Sequence, residues 1–240
     1  DEFFSSVPEG APCYGQAQNF LALSKLMQGD AAAAEEICLE RLVQNEEDIP
    51  VLTTYAAVLT EQGRPQESRR VAEKLAALPA ENADELYKIA TVCCENKLYD
   101  EAYEKFCTLE KQVHYDLTLL YFKAVAAFKS GRVQESLAAF AKLIDIYPNA
   151  AVARYYFGEI RRYAEEGGAE PETSFFYRVP KKERETRVKI LASLAEMPRA
   201  ALDAFLEKVD ITDHLEWCFD EADGADAELM LLGMRLAVRA

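Results

Sequence analysis

Four helix-breaking turns recur along this 240-residue chain: Gln28-Gly29-Asp30, Gln62-Gly63-Arg64, Asn96-Lys97-Leu98 and Ser130-Gly131-Arg132. Their central residues are 34 positions apart, three times in succession. A small residue stands seven positions before each turn, at Ala22, Ala56, Ala90 and Ala124, and Gly158 continues that column. Another small residue stands five positions after it, at Ala34, Ser68, Ala102 and Ser136. Four further on come Cys38, Ala72, Phe106 and Phe140, and Leu75, Leu109 and Leu143 keep the same register. A period of this length constrains the fold more than any other feature, because it makes the chain a stack of one repeated unit.

Each column has a physical reason. Glycine takes the left-handed conformation that ends one helix and turns the chain into the next. Where Lys97 replaces glycine, the neighbouring Asn96 is predicted to tolerate that geometry. Small residues at fixed positions let antiparallel helices approach closely. The apolar residues between them recur at helical spacing. One hairpin cannot bury its apolar face alone, so several must stack into a continuous core.

With a small residue on the first helix, a turn glycine and an A-x-x-x-F pattern on the second, the chain resembles the tetratricopeptide-repeat family. Pro148 matches the proline that commonly closes a repeat, and Pro79 lies one position early. The resemblance covers repeats at about 15–48, 49–82, 83–116 and 117–150, with a fifth first helix at 151–165, so that 1–165 is one array. It implies an all-α, right-handed superhelical solenoid of helix hairpins. The first repeat is the most degenerate, with Lys25 and Arg41 in usually apolar columns.

The periodic columns stop after that. Glu165-Glu166-Gly167-Gly168 ends the fifth first helix, and a connecting loop is predicted over 166–180, with Pro171 and Pro180 bounding Glu172 to Val179. Phe175, Phe176 and Tyr177 are too apolar to be left in water without a purpose. They are expected either to cap the end of the array or to enter its groove near Tyr155 and Arg162. Helices are predicted over Lys181–Met197, Ala200–Val209, His214–Glu221 and Ala227–Val238, the last capped by Asp226. This region, 181–240, reads as a helical cap or the start of a truncated HEAT-like array.

Half of the residues are apolar, enough for a packed core, and no window approaches the length of a membrane span. The net charge of −15 is uneven: residues 1–48 carry 10 acidic and 2 basic side chains, whereas 117–195 carry 9 and 13. An acidic surface repels nucleic acid, so neither nucleic acid nor membrane is an expected partner. The six cysteines form no C-x-x-C pair and have no histidine at zinc spacing, which favours reduced, buried thiols in a cytoplasmic protein over a disulfide or metal site. The chain starts without Met, has no signal-peptide pattern and ends inside a helical pattern, and so reads as a piece of a longer protein.

No phosphate loop, zinc-protease, nucleophile-elbow or kinase motif is present, so no catalytic residue, cofactor or metal is predicted and the chain is not read as an enzyme. His114 and His214 are isolated and read as structural. In the family, the first helix of each repeat lines the concave face. The resemblance therefore implies a groove holding Asn19, Thr53, Tyr87, Tyr121 and Tyr155 at the fifth position. Thr91, Val125 and Glu159 stand at the ninth, and Phe128 and Arg162 at the twelfth. A tyrosine stripe suits binding, with a rigid apolar body and a polar tip, although such stripes also serve as core. The lysine–asparagine clamp that some family members use on a partner's C-terminal carboxylate is missing: Asn19 is followed by Leu23, and Tyr87 by Thr91. The expected role is a scaffold or adaptor that binds a peptide or extended protein segment in the groove. The alternatives are a non-catalytic regulatory or substrate-positioning segment of a larger enzyme, and a homo-oligomer stacked through solenoid ends.

Overall fold

A computed structural model describes residues 2–112, 116–222 and 226–239. Every regular element among them is a helix. They divide into two compact units, Asp1–His114 and Tyr115–Ala240.

The first unit opens with a single turn, α1 (Glu2–Ser5). Three hairpins follow: α2 (Tyr14–Met27) with α3 (Ala31–Gln44), α4 (Ile49–Glu61) with α5 (Pro65–Ala77), and α6 (Ala83–Glu95) with α7 (Tyr99–Gln112). In the second unit, α8 (Leu117–Lys129) pairs with α9 (Val133–Ile146), and α10 (Ala151–Glu166) packs on α9. After a stretch without regular structure at 167–180 come α11 (Lys181–Glu196), α12 (Arg199–Leu206), α13 (Thr212–Ala222) and α14 (Ala227–Arg239). Here α13 packs on α10, and α14 on both α11 and α13. No helix among the described residues is long and apolar enough to cross a membrane.

The repeat is visible in local chemistry. Asp48, Asn82 and Asp116 each cap the helix that follows, accepting from the backbone N–H of Val51, Glu85 and Leu119 at 3.2, 2.9 and 2.7 Å. These three caps are themselves 34 positions apart, and each satisfies a donor that a helix start leaves open. At the hairpin turns, Gly29, Gly63 and Gly131 take φ of 81, 71 and 79°. In the third turn it is Lys97, with φ 59°, that adopts the left-handed geometry, while Asn96 stays at −94°. The expectation that Asn96 would absorb it is corrected: the phase of the repeat fixes which residue must turn. The carbonyl of Cys93 accepts from Leu98 at 2.8 Å, as those of Leu59 and Ala127 accept from Arg64 and Arg132.

The small-residue columns lie at the hairpin seams. Ala22, Ala56, Ala90 and Ala124 are buried, as are Ala34, Ser68, Ala102 and Ser136. In two repeats the facing pair is also hydrogen-bonded: Ser68 donates to the Ala56 carbonyl at 3.0 Å and Ser136 to that of Ala124 at 2.8 Å. The hydroxyl costs little in the core because its partner is fixed by the hairpin itself. Arg41, an odd residue for its column, lies 5.8 Å over the Tyr14 ring and 3.7 Å from Asp48. A side chain at Gly15 would run into its guanidinium.

In the second unit, Trp217 and Cys218 of α13, Leu191 of α11, Leu202 of α12 and Leu236 of α14 join Phe140, Tyr156 and Ile160 in one core. The four predicted C-terminal helices are present, and Asp226 caps α14 by accepting from Leu229 at 3.0 Å. Cys38, Cys93, Cys94 and Cys218 are buried, while Cys13 is exposed at the start of α2. Burial pushes the thiols of Cys38 and Cys93 up to about 12 and that of Cys218 to about 11, which makes them poor nucleophiles. His114 lies outside the described residues. His214 is half-buried, and its pKa is lowered by burial and then by Arg187.

Candidate functional site, an open groove and a filled one

The first helices of the first unit leave a concavity of about 920 Å³ between α2, α4 and α6. Its floor is small or uncharged, with Gly15, Leu23, Pro50, Thr53 and Ala57. Its rim carries Gln16, the exposed ring of Phe20, Asp48, and the Asp84–Lys88 ion pair. Of the residues predicted for the groove, Asn19 and Thr53 line it. Asn19 is held by the next repeat, its Oδ1 accepting from the Thr54 hydroxyl at 2.7 Å. That leaves its amide as the donor side. The Thr53 hydroxyl donates to the Ile49 carbonyl at 2.8 Å and that of Thr91 to Lys88 at 2.9 Å, so both turn back on their own helices. Tyr87 is half-buried, with its ring 6.4 Å from Phe106. Gln16, Phe20 and Lys88 were missed because they lie outside the three columns.

The second unit treats the same columns differently. Tyr121 is fully buried, and its hydroxyl donates to the carbonyls of Ser174 and Phe176 at 2.9 and 3.1 Å. The ring of Tyr177 meets that of Tyr121 edge-on at 4.9 Å, and Phe175 meets Phe122 at 5.6 Å. Tyr156 donates to the Arg178 carbonyl at 2.7 Å. The aromatic segment therefore covers Tyr121 of the inner column and the neighbouring Tyr156, while Phe175 and Tyr177 also pack on the core of the unit. Val125 and Phe128, expected on a groove wall, are buried core side chains, and Phe128 packs on Tyr163 at 6.0 Å.

Tyr155 is half-buried under Arg187, whose guanidinium lies 5.3 Å from its ring and 5.4 Å from that of Trp217. Glu183 holds that guanidinium at 2.6 Å. Burial, then the Glu159 charge, raises the Tyr155 pKa to about 12. Glu159 pairs with Arg162 at 2.7 Å, and Arg162 is exposed. Asp220 of α13 accepts from the Tyr177 hydroxyl at 3.0 Å and from the Val152 N–H at 3.1 Å. Burial raises the pKa of both Asp220 and Tyr177.

With helix hairpins closed by a left-handed residue every 34 positions, the architecture can be set beside solved structures. YrrB, described as a TPR protein with an unusual peptide-binding site, superposes with a TM-score of 0.50 at 15% identity, over 92% of this chain and 91% of that one. MamA from Desulfovibrio magneticus gives 0.51 at 16% identity, over 64% and 86%. The C-terminal part of a TPR repeat-containing protein from Cytophaga hutchinsonii gives 0.50 at 11%, over 96% and 92%. The chain has the tetratricopeptide-repeat fold. No family model matches the sequence, and no curated protein does either. The likeness to these tetratricopeptide-repeat structures is thus one of backbone, and the side chains of the two inner faces are this chain's own.

Proposed function

We propose that this tetratricopeptide-repeat protein is a non-catalytic interaction scaffold whose first unit binds an extended segment of a protein partner in the groove between α2, α4 and α6. The observation that carries the proposal is the open concavity bounded by Asn19, Thr53 and Ala57, with the apolar ring of Phe20 exposed at its rim. Such a surface offers contact area and a few fixed polar groups, which suits an extended chain. Peptide binding by YrrB, a protein of the same fold, adds support.

The segment is expected to be basic or neutral. Residues 1–48 carry a net charge of −8, so a lysine- or arginine-bearing partner is steered in and an acidic one repelled. The role needs neither cofactor nor metal, and we propose the cytoplasm as its place, where the free thiols stay reduced.

A twelve-residue random peptide library displayed on phage tests the proposal with the full chain as bait. Enriched peptides should be basic or neutral and should lose at least about ten-fold in affinity against Ala57→Tyr, which fills the groove floor from a half-buried position. Circular dichroism confirms that the variant is folded. Peptides that bind wild type and folded variant alike would overturn the proposal.

A further inference from the structure

Residues 173–179 lie against the second unit with the chain bent at 175–178, where the Arg178 N–H donates to the Phe176 carbonyl at 2.7 Å. Thr173 and Val179 are buried and Ser174, Phe175 and Tyr177 are half-buried, whereas Phe176 and Arg178 are exposed. The bend turns Phe175, Tyr177 and Val179 to the surface of the unit and Phe176 and Arg178 away from it. The carbonyls of Ser174, Phe176 and Arg178 accept from the hydroxyls of Tyr121 and Tyr156. These bonds hold the backbone and carry no sequence information.

Selection comes from the alternate side chains. Phe175 rests on Phe122, and Val179 is buried. Tyr177 is read at both ends, its ring by Tyr121 and its hydroxyl by Asp220, which is oriented by the Val152 N–H. A phenylalanine there would leave a buried carboxylate oxygen short of a donor, which is a costly mismatch.

The fit of the chain's own segment is incomplete. Thr173 Oγ1 is buried without a hydrogen-bond partner among the described residues, and the Phe176 ring is 79% exposed. The segment is joined to α10 by exposed residues that include Gly167 and Gly168, both at positive φ, and is bounded by Pro171 and Pro180.

We infer that the surface formed by α8, α10 and α13 is a second binding site, for a bent segment of the pattern aromatic-x-Tyr-x-aliphatic, which residues 173–179 fill as a built-in ligand and for which a partner segment of that chemistry competes. The site is separate from the groove of the first unit, and the inference stands or falls independently of it.

The probe is a fluorescein-labelled peptide of residues 170–181, titrated by anisotropy into the full chain. Wild type should bind it saturably but at least ten-fold more weakly than Tyr177→Ala, whose internal competitor has lost its anchor. The same peptide with phenylalanine at position 177 should bind Tyr177→Ala at least five-fold more weakly than the tyrosine peptide. If circular dichroism shows Tyr177→Ala unfolded, the wild-type titration decides, and the tyrosine peptide must still saturate and outbind the phenylalanine one. Equal affinity for the two peptides, or no saturable binding to any folded form, overturns the inference. A dimer that the peptide converts to monomer would also overturn it, by showing exchange of the segment between copies.

Discussion

The two units use the same columns of one repeat for opposite ends. In the first unit the inner column holds Asn19, Thr53 and the half-buried Tyr87, and the first two border a concavity. In the second it holds Tyr121, which is buried beneath a bent piece of the same chain, and the half-buried Tyr155. The difference follows from side-chain reach. Asparagine and threonine are short and bond within the repeats, as Asn19 does to Thr54 and Thr53 to Ile49. Tyrosine reaches further from the helix, and the hydroxyl of Tyr121 meets the backbone of Ser174 and Phe176. A repeat fixes where the inner face lies, and the column residue together with what packs on it decides whether that face stays open, since Tyr87 stands in the same column of the first unit.

The contrast breaks most visibly at Tyr177. Tyr177→Ala removes a packed ring and the donor to Asp220, and should destabilise the second unit by about 3 kcal/mol in urea denaturation. Asp220→Ala leaves the Tyr177 hydroxyl and the Val152 N–H without their acceptor and should cost about 1–3 kcal/mol in the same assay. If either variant melts like wild type, the segment is not seated on the second unit.

The next effect concerns what the units share. Ala90→Leu in the first and Ala124→Leu in the second overpack equivalent hairpin seams, and each should cost about 1–3 kcal/mol. A clear disparity between them would show that the seams are not equivalent. Lys97→Gly should raise stability by up to about 1 kcal/mol, since it relieves the left-handed strain at a cost in chain entropy. The smallest stability effect belongs to the open groove: Thr53→Ala should shift stability by less than about 0.5 kcal/mol.

Much of this fold could be read from the chain. The turn residues and the paired small positions set the hairpins, and Asp226 marked the start of the last helix. These signals are local or recur at a fixed period, so each is supported by its copies. What covers Tyr121 was not legible in the same way. Ser174 and Phe176 are more than fifty positions away and belong to no period. The three consecutive aromatics Phe175, Phe176 and Tyr177 between two prolines were a usable signal for a segment that must be covered, but not for where it lies. Arg187 sits in a run of charges that reads as a solvated face, yet it is stacked between Tyr155 and Trp217. Asp220 likewise looks like one more surface acid. Only the packing of α13 on α10 gives it the Val152 N–H and the Tyr177 hydroxyl.

Hydroxyl-radical footprinting of the native chain, read residue by residue by mass spectrometry, tests the difference between the units most directly. Phe20 at the rim of the first groove and Phe176 on the outer side of the segment should oxidise readily, being 53% and 79% exposed. Tyr121 and Tyr156 should be protected until the chain is denatured. Oxidation of Tyr121 and Tyr156 in the native chain at rates approaching that of Phe176 would contradict the account, because the inner face of the second unit would then be open like that of the first.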